Sequence, residues 1–189
     1  MGRKHSHEQI LDAATRVTAR TGFSGLSFRL VAEEVGTSDR MVVYYFADKG
    51  RLIGSVLERV GDLLQQMLSE SLPSLSDRGA SRLEVLLAAR QVLTDPASEW
   101  VIRVFLEAVG LAVAHREPFV SLGPPILQAW VDWLEARMGE GAQPGSAVAV
   151  IAVLEGMLIA EALLGTEAAS AGWEVVIESE RRLDDRRAT

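Results

Sequence analysis

The chain of 189 residues has no cysteine, three histidines and two lysines, Lys4 and Lys49. Without thiols there is no disulfide framework, no Cys-ligated zinc and no thiol nucleophile. His5 and His7 sit at the N-terminus, and His115 is two residues from Glu117, a spacing that does not share a helical face. No metal site is expected from such a set. A glycine-rich phosphate loop is also missing, as is a nucleophile with a base, so neither an enzyme nor a cofactor is expected. Alternating apolar and polar runs, the signal of half-buried strands, are absent. The opening MGRKHSHEQIL has no apolar core segment, so no secretory signal is expected.

A positive net charge is lacking too. The formal charge is −7, with uneven distribution: residues 1–51 carry eight Lys/Arg against six Asp/Glu, and residues 52–189 carry eleven against twenty. A mildly basic head on an acidic body is compatible with nucleic-acid binding. Apolar residues make up 48% and charged ones 24%, ordinary for a globular fold. The longest apolar run, AVAVIAVLEGMLIAEALLG at 147–165, has the length of a membrane span. Glu155 and Glu161 inside it favour a buried helix of a soluble protein, with no membrane partner.

What is present is helical periodicity throughout. A first helix is expected from Ser6, a plausible N-cap, to Ala19, with Ile10, Ala13, Ala14 and Val17 on one face and Gly22 closing it. A second starts at Ser27 and stops at Gly36, and a third runs from Thr37 or Ser38 to Phe46. A fourth runs from about Asp48 to Leu72. Turn-rich breaks then leave helices near 81–94, 98–114, 124–138, 145–165 and 170–183. Pro124 and Pro125 interrupt their segment or start its last helix.

Residues 27–46 give two short helices around a glycine turn, the helix-turn-helix pattern, whose second helix lies in the major groove. Ala32 is small where the helices must approach, Gly36 tolerates a positive φ, and Met41 and Val42 can anchor the second helix. In order and spacing, the sequence resembles the tetracycline-repressor (TetR) family of bacterial transcriptional regulators. The resemblance runs through Gly22-Phe23, Ser27-x-Arg29-x-Val31-Ala32, Val35-Gly36-Thr37-Ser38 and Tyr44-Tyr45-Phe46-x-x-Lys49-x-x-Leu52, over roughly the first 55 residues. Two positions depart from the family: Val43 replaces a common tyrosine and Tyr45 a common histidine.

The resemblance implies an all-α fold, with a three-helix DNA-binding head over 1–50, a helical effector-binding and dimerisation bundle over 51–184, and a tail at 185–189. It implies double-stranded DNA as partner, at a near-palindromic operator, and a repressor released by a small molecule. A cytoplasmic, bacterial location goes with it. The alternative is a helical regulator or adaptor that acts without DNA. Ser27 and Arg29 open the second helix, and Lys49 the fourth, where free N–H groups favour phosphate. Arg3 and Lys4 form an arm that can reach backbone or minor groove. Thr37, Ser38, Asp39 and Arg40 lie at the start of the recognition helix. Arg40 can read a guanine or meet a phosphate; Asp39 can accept from a cytosine amine or complement the helix dipole. Tyr44 and Tyr45 are expected to face the DNA backbone.

In the body, a homodimer is expected through 145–165 and 170–183, with Ala149, Gly156 and Ala160 allowing close approach. Trp100, Phe105, Trp130, Trp133 and Met157 are candidates to line a lipophilic effector site, with core packing as the ordinary alternative for each. Glu155 on an apolar helix needs a partner, either a cationic ligand or an arginine across the dimer.

Overall fold

The computed structural model describes residues 6–72, 79–138 and 142–188, and among these there are nine α-helices and no strand. Helix α1 (His7–Gly25) is started by a capping box: Gln9 N–H donates to Ser6 Oγ at 3.2 Å, and Ser6 N–H to Gln9 Oε1 at 3.0 Å. Helix α2 (Phe28–Val35) is capped by Ser27 Oγ, which accepts from Leu30 N–H at 3.3 Å. It ends at Gly36, whose φ of 77° is a left-handed conformation suited to glycine. Helix α3 (Asp39–Phe46) and helix α4 (Lys49–Ser71) follow. The expected ends agree with α2, α3 and α4 to within two residues, whereas α1, expected to end at Ala19 and close at Gly22, breaks at Gly22 and resumes to Gly25.

The described chain divides into two compact units. The first takes the residues up to Gln65 together with Glu99–Ile126. It therefore holds α1–α3, most of α4, helix α6 (Glu99–Val113) and the start of helix α7 (Phe119–Met138). Its core joins Ile10, Val17, Val31, Val42, Phe46, Leu52 and Val56 with Val101 and Val104 of α6. Helix α6 thus packs with the head, against α1.

The second unit, Gln66–Ser98 and the described residues from Leu127 on, contains helix α5 (Arg82–Leu93), helix α8 (Ser146–Leu164) and helix α9 (Thr166–Ala188). Its core includes Val85, Leu86, Leu134, Val150, Trp173 and Ile177. Two ion pairs tie α5 to α9: Arg82 to Glu180 and Arg90 to Glu174, both at 2.7 Å. Glu180 is 8% exposed, so its carboxylate depends on that arginine. Gly172 permits the close passage of α9 over Met157, whose Cε would lie 3.3 Å from an added Cβ.

Three further features differ from the sequence-based reading. Helix α7 begins at Phe119, so Pro124 and Pro125 lie inside it and do not start it. Each proline deletes an N–H, which leaves the carbonyls of Val120 and Ser121 without their usual helical donors. Helix α9 spans Thr166–Ala188, longer at both ends than expected: Gly165 alone makes the break, and the charged end keeps helical pairs such as Arg182–Glu178 at 3.0 Å. Helix α8, expected to be buried, packs against α9 and α5 but leaves Val148, Ile159, Leu163 and Leu164 at 50–78% exposure. By length and composition alone it is apolar enough to cross a membrane.

Candidate nucleic-acid interface

Helix α3 has two faces. Val42 and Phe46, four residues apart, are buried at 0% and 2% exposure and fix the helix to α1 and α2. Ser38, Asp39, Arg40, Val43 and Tyr44 are exposed, and Tyr44 at 78% is the most open residue of the aromatic run. Thr37 is half-buried beneath them. The turn that presents this face closes with Gly36 and Thr37 N–H groups donating to Ala32 O, both at 2.9 Å. Ala32 itself is buried at that close approach.

Ser38 is the N-cap of α3, yet its hydroxyl makes no capping bond. Met41 N–H turns back to Ser38 O at 2.9 Å, and the remaining first-turn amides lack a side-chain acceptor at the positive end of the helix dipole, where an anion is favoured. Ser27, by contrast, uses its hydroxyl on its own helix, so it offers a partner backbone amides more than a free Oγ.

The charges of the head sort by pairing. Glu34 accepts from Arg16 Nε at 3.0 Å and Arg20 Nη2 at 2.6 Å, and these two guanidinium groups hold its carboxyl below the usual range. Arg59 spans to Asp12 at 2.9 Å and to Glu8. Arg29 pairs with Glu33 along α2 at 3.5 Å, and Arg51 with Asp48 at 3.8 Å. Arg40 and Lys49 are exposed and, among the described residues, form no ion pair. Among the described residues of the head, the two cations without an ion pair are thus those nearest the start and the end of the recognition helix.

The turn between α3 and α4 is strained. Ala47 has φ 60° and ψ −55°, and Asp48 N–H reaches back to Phe46 O at 2.6 Å, a γ-turn that few L-residues adopt. It delivers Lys49 to the first position of α4, while Asp48 Oδ1 caps that helix through Arg51 N–H at 2.9 Å.

The two tyrosines separate. Tyr44 stands in solvent, whereas Tyr45 is half-buried and meets His7 edge-on at 5.9 Å, with Tyr44 at 5.2 Å. His7 also packs on Phe46 at 4.8 Å. His7 takes the first position of α1, as the expected cap at Ser6 implies, whereas its contacts with the end of α3 come from the tertiary packing. Arg3 and Lys4 lie outside the described residues.

The effector-site candidates divide between the units. In the second, Trp130 and Trp133 meet at 5.6 Å with their rings tilted by 58°, the Arg137 guanidinium lies 3.7 Å over the Trp133 ring, and Met157 packs in the same core. Glu155 is half-buried on α8 with no hydrogen bond or ion pair among the described residues, and burial pushes its carboxyl up. In the first unit, Trp100 lines an open groove of about 470 Å³ with Asp12, Arg16, Arg20, Arg59 and Leu63. Phe105 is half-buried on α6. Sequence reasoning also missed Arg103 and Glu107, whose side chains reach the break in α1; opposite charges four apart on an apolar helix were the available signal.

Residues 10–56 match the model of the family described as bacterial regulatory proteins, tetR family. The chain is 36% identical over 55 residues to the HTH-type transcriptional repressor NicS of Pseudomonas putida, covering 29% of this chain and 26% of that protein. It is 29% identical over 97 residues to the HTH-type transcriptional repressor DrrR1 of Streptomyces coeruleorubidus, covering 51% and 34%. These alignments thus span about a quarter and a third of the two relatives. Among solved structures, the multidrug binding protein EbrR complexed with imidazole superposes with a TM-score of 0.72 at 25% identity, over 92% of this chain and 88% of that one. EbrR complexed with malachite green matches at 0.68 and 25%, over 95% and 98%.

Proposed function

From a chain that belongs to the TetR family of bacterial transcriptional regulators, we infer a sequence-specific DNA-binding repressor that acts in the cytoplasm as a homodimer and is released by a small molecule. The observation that carries the reading is the two-faced α3: Val42 and Phe46 inward, Ser38, Arg40 and Tyr44 outward, with Lys49 beyond. In this assignment α3 enters the major groove. Arg40 forks onto a guanine edge or a phosphate, and Lys49, Tyr44 and the amides at Ser27 and Arg29 hold the backbone. Asp39 complements the dipole at the start of α3.

Dimerisation is supported by the exposed stripe on α8: Val148, Ala152, Gly156, Ile159 and Leu163, spaced by three and four residues. Val175 of α9, 68% exposed, adds to this apolar surface. A second copy placed there by a two-fold axis presents two recognition helices to one near-palindromic operator.

The effector in this reading is an aromatic, lipophilic molecule held in the second unit near Trp130, Trp133 and Met157, with Glu155 available to a cationic group. EbrR, a neighbour of the same fold, takes malachite green, an aromatic cation, in its crystal structure. An effector that prefers a conformation with the wrong head spacing shifts the population away from the DNA-bound form.

The test is sequence selection from a random duplex library by the purified chain, followed by anisotropy across a salt series. A repressor enriches an inverted repeat and binds it with an affinity that falls linearly in log–log form as salt rises. A chain that enriches nothing at low salt, without added compounds, is not a DNA-binding regulator.

A further inference from the structure

We propose that Arg103 and Glu107 of α6 are positioning residues that set the angle of the DNA-reading helices through the break in α1. Helix α1 is interrupted at Gly22, which has φ 69° and ψ −179°. An interruption exposes carbonyls at the end of the first segment and amides at the start of the second, with opposite partial charges. Helix α6 meets both. Arg103 Nη2 donates to Ala19 O on the carbonyl side. On the amide side, Glu107 accepts from Phe23 N–H at 2.9 Å and from Ser24 N–H at 3.3 Å.

Arg103 and Glu107 are four residues apart, so one face of α6 holds both ends of the joint with the charge each end favours. The fit is close: a Cβ on residue 22 would lie 2.5 Å from the Glu107 carboxylate, so any other residue would push that carboxylate off the amides besides straining the positive φ. Phe23 beside it is buried edge-on against Phe119 at 5.1 Å, which anchors the second segment. Downstream, Leu26 and the Ser27 cap lead directly into α2, and α2 packs on both α1 and α3. A rotation or slide of α6 therefore turns the chain at Gly22 and carries α2 and α3 with it.

The consequence for DNA rests on the repressor reading, whereas the joint itself does not, and the experiment separates them. The cysteine-free chain accepts spin labels at two introduced cysteines, Val43→Cys on α3 and Gly110→Cys on α6. Amide exchange at Phe23 and Ser24 is followed by NMR in the unlabelled protein. Glu107→Ala is expected to speed exchange at both amides about tenfold or more and to broaden the label-to-label distance distribution, as loss of hydrogen bonds from a charged acceptor implies. Glu107→Gln, which keeps an acceptor oxygen, is expected to recover part of both, and serves if the alanine variant does not fold. Operator affinity, measured on the selected duplex, follows the width of the distance distribution. Unchanged exchange, or faster exchange with an unchanged distance distribution, overturns the proposal. A wild-type chain that selects no duplex sinks the repressor reading alone, since both readouts of the joint work without DNA.

Discussion

The two compact units bury comparable helices and leave opposite chemistry outside. Around α3 the first unit exposes Arg40, Tyr44 and Lys49, and its remaining charges are mostly engaged with one another. On α8 and α9 the second unit exposes Val148, Ile159, Leu163, Leu164 and Val175. A surface of unpaired cations at helix ends suits a solvated polyanion, which keeps its water and gives up counterions. An apolar stripe suits a surface that shares its aversion to water. In the repressor reading proposed above, DNA meets the first of these surfaces and a second copy of the chain the other.

The sharpest way to break this division is to put charge on the apolar stripe. Ile159→Asp is expected to convert the proposed dimer to a monomer by light scattering, because its carboxylate would be buried unpaired between the two copies. Operator affinity then falls by about a hundredfold or more, since one head binds only a half-site. Within the second unit, Arg82→Ala leaves Glu180 buried and alone. It is expected to cost about 3 kcal/mol in a denaturant melt, near the lower end for breaking a buried pair, because Arg82 keeps a quarter of its side-chain surface in water.

Changes in the first unit are smaller in stability and larger in specificity. Arg40→Ala is expected to cost about 1–3 kcal/mol in operator binding. If the side chain reads a base, preference relaxes at one position; if it meets phosphate, binding weakens uniformly and the salt slope drops by about one. The two positive-φ positions flanking α3 make an opposed pair. Gly36→Ala is expected to destabilise by about 1 kcal/mol through the backbone alone, since nothing lies within 4 Å of an added Cβ. Ala47→Gly is expected to raise Tm, as relief of the γ-turn outweighs glycine's greater chain entropy.

The smallest effect is a pH dependence in the second unit. Burial raises the Glu155 carboxyl above its ordinary value. Between the unfolded and folded values the native state binds the extra proton, so this residue's contribution to stability is complete below that window and lost as pH rises through it. Glu155→Gln is expected to flatten the melting temperature against pH across that range; a profile identical to wild type contradicts the assignment.

Much of the head was legible from sequence because DNA geometry and a tight turn demand particular residues. Gly36, Ala32, Ser27 and the Val42–Phe46 spacing each answer a local requirement, and local requirements leave local patterns. What escaped was long-range: His7 against Tyr45 and Phe46, Arg59 bridging Glu8 and Asp12, and Glu107 at the Gly22 break, whose hydrogen-bond partners are 84 and 83 residues away. Tyr44 and Tyr45 looked equivalent as neighbours, and only packing separated them. In the second unit, α8 is apolar nearly all round, so no periodicity marked which side α5 and α9 would cover. Trp130 and Trp133 suggested an aromatic site, but the Arg137 guanidinium over one ring comes from the fold.

The central claim of the repressor reading is the proposed pairing of two chains through α8, which presents two copies of α3 one DNA turn apart. It is tested most directly by inserting about 5 base pairs, half a turn, between the half-sites of the selected operator. The account predicts that the insertion moves one half-site to the opposite face of the duplex and reduces affinity to that of a single half-site. Affinity unchanged by the insertion would contradict it.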